Sequence, residues 1–245
     1  MTLLSHGKKP WLIVMGLKSH IISCICMDNV SEKTALIASR LSHIREEIKA
    51  LSPSARLIAV SKYQPLDRLL AAIDAGQYVF GENHVQEAVE KIKALSSVDC
   101  LEWHFIGTVQ SNKTRVIAEH FDWVQSLCDL KHAQRLNEAR QGKLLNVLIQ
   151  VNIDREPTKS GVLEEKLEGF AKALLAYPNL RFRGLMCIPR PGSDAFSRMK
   201  TLFEHMNASG FSLDTLSMGM SQDYADALRA GSTMVRVGTA IFGNR

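Results

Sequence analysis

One lysine stands where a reactive amine would be most useful. Lys62 closes the run Ile58-Ala59-Val60-Ser61-Lys62, which is apolar except for Ser61. In an extended strand alternate side chains share a face, so Ile58, Val60 and Lys62 go together. Burial disfavours an ammonium, so an amine rising from an apolar wall loses its proton easily. The free amine can then condense with a carbonyl to form an imine. A strand-end lysine reaching into solvent is the plainer account of the same position.

A second group of residues lies near the C-terminus. Ser217-Met218-Gly219-Met220-Ser221 and Arg236-Val237-Gly238-Thr239 combine glycines with hydroxyl side chains. Glycine lets a backbone approach a ligand closely, and exposed N–H groups with hydroxyls can cradle an anion. Tight turns would use the same residues. Arg236 interrupts the apolar strand Met234-Val235-Arg236-Val237. A buried arginine needs a partner. An internal salt bridge, for instance to Glu82, and a ligand acceptor are both open.

Other polar groups end predicted strands. His104 lies within Trp103-His104-Phe105-Ile106-Gly107, as a hydrogen-bonded core histidine or a site residue. Asn83 ends Phe80-Gly81-Glu82-Asn83, where it can cap a helix or line a pocket. Lys159 follows the fifth strand, either solvated or as a cation offered to the barrel mouth. The eight histidines are scattered without a metal motif, and no Walker loop, GxGxxG or GxSxG elbow is present.

These residues need elements to position them. The periodicity predicts a helix over 31–51, capped by Asn29 or Ser31, with Leu36, Ile37, Leu41, Ile44, Ile48 and Leu51 at helical spacing. Eight strands follow: Arg56–Tyr63, Tyr78–Asn83, Glu102–Gly107, Trp123–Leu127, Leu145–Ile153, Arg181–Ile188, Thr215–Gly219 and Met234–Phe242. A helix separates each pair. This alternation predicts a parallel sheet built by right-handed crossovers. Eight units can close into an α/β (β/α)8 TIM-type barrel, whose site lies at the C-terminal strand ends, with phosphates often held after strands seven and eight. An open doubly wound sheet is the alternative. No linker divides residues 29–245, which read as one domain. Residues 1–28 read as an extension, unstructured or upstream of a natural start at Met27.

Bulk properties narrow the function. The chain has 245 residues and a net charge of +5, spread along its length. That argues against nucleic acid, which calls for a dense basic patch. No stretch reaches the ~18 apolar residues of a membrane span. Five cysteines in no zinc or redox spacing suggest reduced thiols and a cytoplasmic protein. No unmistakable apolar interface stripe is visible, so a monomer is expected.

Taken together, Ala59-Val60-Ser61-Lys62, Phe80-Gly81-Glu82-Asn83, Trp103-His104-Phe105-Ile106-Gly107, Gly184-Leu185-Met186, Ser217-Met218-Gly219-Met220-Ser221 and Val235-Arg236-Val237-Gly238-Thr239-Ala240-Ile241-Phe242-Gly243 resemble the pyridoxal phosphate homeostasis proteins. That family shares its barrel with the N-terminal domain of alanine racemase. The match spans roughly residues 29–243 in order. The resemblance implies pyridoxal 5′-phosphate as cofactor, held as an internal aldimine on Lys62. Arg236 would face the pyridine nitrogen. Ser221, Gly238 and Thr239 would hold the phosphate, with Ser217 nearby. Asn83, His104 and Met186 would line the ring. Tyr63-Gln64 varies among relatives, and the short tail after Gly243 lacks basic residues seen in some.

The implied function is vitamin B6 homeostasis, in which the protein binds the cofactor and releases it to apo-enzymes. The alternative is an amino-acid racemase. Racemisation needs acid and base groups on both faces of the substrate carbon. In alanine racemase one is a tyrosine from a second, β-rich domain, and no such domain is expected after the last strand here. An arginine at the ring nitrogen also weakens the electron sink. Little turnover is therefore expected.

Overall fold

The computed structural model describes residues 25–243, with side chains from residue 34 onward. The segment before residue 25, and with it most of the expected 1–28 extension, lies outside the described residues. Helix α1 (Ile25–Leu51) comes first. It starts before Asn29 and Ser31, so neither residue caps it. Ile37, Leu41, Ile44 and Ile48 are buried along one face, as the helical period requires. Leu36 falls off that stripe and is exposed.

Strands and helices then alternate. They are β1 (Arg56–Val60), α2 (Leu66–Asp74), β2 (Val79–Glu82), α3 (Val85–Ala94), β3 (Glu102–Phe105), α4 (Thr114–His120), β4 (Trp123–Leu127) and α5 (Leu130–Ala139). The second half runs β5 (Leu145–Gln150), α6 (Glu164–Leu174), β6 (Leu180–Met186), α7 (Ala195–Ala208), β7 (Thr215–Ser217), α8 (Tyr224–Arg229), β8 (Met234–Val237) and α9 (Thr239–Phe242). The strands form a closed parallel barrel in sequence order, and β1 seals it against β8, with Ile58 opposite Arg236. The expected TIM-type barrel is the observed one, and the open sheet is not.

Two apolar layers hold the barrel. Inside, Ile58, Trp123, Leu148, Met186 and Met234 pack together. Outside, strand residues such as Ala59, Val124 and Ile149 pack against helix residues such as Leu69, Ile117 and Leu136. Side-chain alternation sorts each strand between these layers, which is why strands apolar on both faces suit the fold. Polar pairs near the N-terminal ends complete the interior. Arg183 binds Asp214 at 2.7 Å and lies 4.8 Å over the Trp123 ring, and Arg56 binds Glu102 at 2.9 Å.

Seven of the eight strands end earlier than the sequence pattern suggests, and for β1 and β8 the cause is visible. β1 stops at Val60, because residues 61–64 form a turn in which Tyr63 takes a left-handed backbone (φ 60°). β8 stops at Val237, and Thr239–Phe242 turns into α9 rather than extending the strand.

Candidate functional site

The C-terminal strand ends carry most of the residues singled out above. Lys62 sits half-buried in the turn that leaves β1. That turn is fixed from below by a buried ionic cluster. The Lys91 ammonium on α3 donates to the Ser61 carbonyl at 2.7 Å, to Glu82 Oε1 at 2.8 Å and to Glu87 Oε1 at 2.5 Å. Ser61 Oγ also donates to Glu82 Oε1 at 2.7 Å, and the Tyr63 N–H donates to Glu87 Oε1 at 2.6 Å. Burial pushes the Glu82 carboxyl above its ordinary range, and Lys91 and Ser61 only partly offset it.

Glu82 is therefore not the partner of Arg236. Gly81 faces the interior, where a Cβ would meet Ile58 Cγ2 at 2.9 Å, so Glu82 must face the other way, toward α3. Arg236 points inward and is 4% exposed. Its Nη1 donates to Ser217 Oγ at 2.6 Å and its Nη2 to the Cys187 carbonyl at 2.9 Å. Among the described residues no carboxylate lies within ion-pair distance of it. The Cys187 thiol does not supply the charge either. Burial pushes that thiol up to about 12 despite the nearby guanidinium, so it stays neutral. Burial lowers the Arg236 pKa as well, yet an arginine keeps its proton in a protein. A buried cation without an anion is costly unless something else faces it.

Beside it the chain turns tightly. Gly219 has φ 94°, a left-handed conformation natural to glycine. Ser221 Oγ accepts from the Gly238 N–H at 3.2 Å and the Ala240 N–H at 3.4 Å. A Cβ on Gly238 would lie 3.2 Å from both Val60 Cβ and Val60 O. The ends of β1 and β8 thus touch, and Lys62, two residues past Val60, shares a rim with Gly238. Thr239 is exposed at that rim.

The remaining predicted residues divide. Asn83 follows β2, and its Oδ1 is buried with no partner among the described residues. The residue capping α3 is His84, so Asn83 is not the cap. Met186 is buried at the end of β6, paired in register with Ser217. His104 is 0% exposed inside the barrel, stacked on Trp123 with ring centroids 5.0 Å apart. Both its nitrogens are engaged, Nε2 with Glu102 at 2.5 Å and Nδ1 with Gln125 at 2.8 Å. Lys159 is paired with Glu156 at 2.7 Å in the loop after β5.

Sequence reasoning overlooked Gln125, which bonds Ser217 Oγ through its Oε1 at 2.8 Å. Its signal was available: it is a polar residue two places after the inward Trp123, so alternation points it into the barrel. It also overlooked Lys91, which reads as one of several helix lysines. Among the described residues no group of His, Cys, Asp and Glu could hold a metal ion.

Comparison with known proteins agrees with this geometry. Residues 36–245 match the family model described as alanine racemase, N-terminal domain. The chain is 47% identical over 227 residues to the pyridoxal phosphate homeostasis protein of Pasteurella multocida, covering 88% of this chain and 97% of that one. It is 47% identical over 233 residues to the Escherichia coli protein of the same name, covering 85% and 97%. The structure of PipY from Synechococcus elongatus with PLP bound superposes with a TM-score of 0.77 at 36% identity, covering 84% of this chain and 100% of that one. Alanine racemase from Corynebacterium glutamicum shares the fold, with a TM-score of 0.65 at 20% identity. The chain belongs to the pyridoxal phosphate homeostasis protein family.

Proposed function

We propose that this protein binds pyridoxal 5′-phosphate at the C-terminal mouth of the barrel, holds it reversibly on Lys62, and serves vitamin B6 homeostasis by releasing it to apo-enzymes. The residues present suit the cofactor. It has an aldehyde, a pyridine nitrogen and a phosphate. Arg236 is a buried cation with no carboxylate partner among the described residues, and that observation carries the reading. The buried Asn83 Oδ1 adds an acceptor with no partner among the described residues.

When bound, the cofactor supplies an electrophilic carbonyl, and the protein does the rest. Lys62 would supply the amine that holds that carbonyl reversibly. Arg236 would face the ring nitrogen and, as a permanent cation, would keep a proton off it. Ser221, Gly238 and Thr239 hold the phosphate, with Ser217 nearby. Asn83 and Met186 would line the ring, and His104, its nitrogens taken by Glu102 and Gln125, would act on it only through its neighbours. This arrangement favours storage over turnover, because an unprotonated ring nitrogen is a weak electron sink. We assign the protein to the cytoplasm, as a monomer.

The test is an absorbance spectrum of purified protein before and after borohydride, followed by mass analysis. A band near ~420 nm, expected of the cofactor's chemistry, should convert to a reduced adduct on Lys62 and vanish in Lys62→Ala. A phosphorylated ligand bound without any adduct at Lys62 would replace this reading. Steady amino-acid racemisation would replace the carrier role.

A further inference from the structure

Five side chains run in an unbroken line through the barrel from Arg236 to Glu102 at its N-terminal end. Their hydrogen bonds admit a single direction. Arginine has donors only, so Ser217 Oγ accepts from Arg236 Nη1 at 2.6 Å. The one proton of Ser217 then goes to Gln125 Oε1 at 2.8 Å. That fixes the amide, and its Nε2 faces His104 Nδ1 at 2.8 Å. His104 Nδ1 must accept, so its proton is on Nε2, where it is donated to Glu102 Oε1 at 2.5 Å. Arg56 donates to the same carboxylate oxygen at 2.9 Å. The Gln125 amide has a further contact with Met234 Sδ at 3.2 Å. Turning the amide over would need a proton on His104 Nδ1 as well as on Nε2, an imidazolium that burial disfavours, and would take away the acceptor of the Ser217 proton.

We propose that Gln125, His104 and Glu102 are positioning residues that act through Ser217 to fix where Arg236 aims its guanidinium. Ser217 and the Cys187 carbonyl hold Arg236 from two sides, but a lone serine can rotate its hydroxyl. The amide removes that freedom, the imidazole fixes the amide, and the Glu102–Arg56 pair fixes the imidazole. A ring-side cation aimed without reorganisation binds its ligand at lower cost. The proposal rests on the reading that Arg236 faces the cofactor ring, and it adds that the aim is set from inside the barrel.

The chain has consequences in the cofactor-free protein. Full-length protein labelled with 15N-histidine and 15N-arginine should show His104 neutral at pH 7 with its proton on Nε2. It should also show separate Nη signals for Arg236, from restricted guanidinium rotation. Gln125→Glu, at a pH where the new carboxyl is ionised, replaces the amide donor with an acceptor, so His104 then donates from both nitrogens as imidazolium. Gln125→Met removes the link, merges the Arg236 signals and weakens pyridoxal phosphate binding about tenfold, which is ~1.4 kcal/mol. Borohydride should still trap the cofactor on Lys62 at saturation. A proton on His104 Nδ1 in the parent overturns the proposal, as does unchanged Arg236 rotation in a folded Gln125→Met protein. If that variant does not fold, the parent tautomer and Gln125→Glu decide. A parent that traps no adduct at Lys62 sinks the cofactor reading instead, and the His104 and Arg236 signals still decide this one.

Discussion

The Lys91 ammonium lies 2.7 Å from the Ser61 carbonyl oxygen and so ties α3 to the turn that carries Lys62. The contact is buried, and the same ammonium neutralises Glu82 at 2.8 Å. Backbone position at Lys62 is therefore set by a charge three elements along the chain.

Lys91→Met should strand Glu82 without its cation. Breaking a buried pair from one side typically costs about 3–5 kcal/mol. Urea unfolding should show a loss of this order, and pyridoxal phosphate affinity should fall with it as the Ser61–Tyr63 turn loosens. Adding Glu82→Gln should recover part of the stability, because the uncompensated carboxylate is then gone.

Arg236→Leu should separate binding from stability. The parent side chain is a buried cation with no carboxylate in ion-pair contact among the described residues, so its removal should leave the cofactor-free protein about as stable as before or more so. Cofactor affinity should drop by roughly 2 kcal/mol or more, about thirtyfold. Thermal melts without ligand and spectroscopic titration with pyridoxal phosphate read the two effects independently. A large loss of ligand-free stability would show that the guanidinium is a structural prop.

His104 should make the fold acid-sensitive in a defined window. Burial lowers its pKa below the ordinary 6.5, although the Glu102 bond opposes this. Arg56 also disfavours the imidazolium, Asp122 and Glu102 favour it, and Trp123 and Gln125 cover it without charge. The unfolded chain then binds more protons as pH falls below about 6.5. The stabilisation is complete above that pH and is lost as pH falls toward the folded value. Urea midpoints should drop between pH 7.5 and 5 in the parent and drop less in His104→Gln.

Gly238→Ala tests the contact between the barrel's first and last strands. The new methyl would press on Val60 Cβ and O at 3.2 Å, and the backbone oxygen cannot move aside cheaply. A destabilisation of about 1–3 kcal/mol is expected for such overpacking. Cofactor affinity should fall beyond that, because the strain lands where Lys62 and the Ser221 turn meet.

The sequence made the barrel legible because its strand–helix alternation is regular and its helix stripes are clean. Lys62 could be picked out as a polar group at a predicted strand end, Arg236 as a charge inside an apolar strand, and Ser217 and Ser221 as hydroxyls around a glycine. Strand limits were less visible. Ala240–Phe242 is apolar over only three residues, too short to tell strand from helix. The suggestion that Glu82 pairs with Arg236 failed for a reason alternation already contains. Gly81 and Glu82 cannot both face the interior. Gln125 escaped notice because a single amide in a strand of apolar neighbours carries no motif, and its meaning comes only from residues on three other strands.

The seal between β1 and β8 has a consequence for biosynthesis. A polypeptide leaves the ribosome with its N-terminal part first. The amine at the rim belongs to the earliest strand, and the guanidinium with its neighbouring glycine turn belongs to the last. The two halves of the pocket therefore meet only once the eighth strand has been made, so a nascent chain shorter than that cannot hold the cofactor with both.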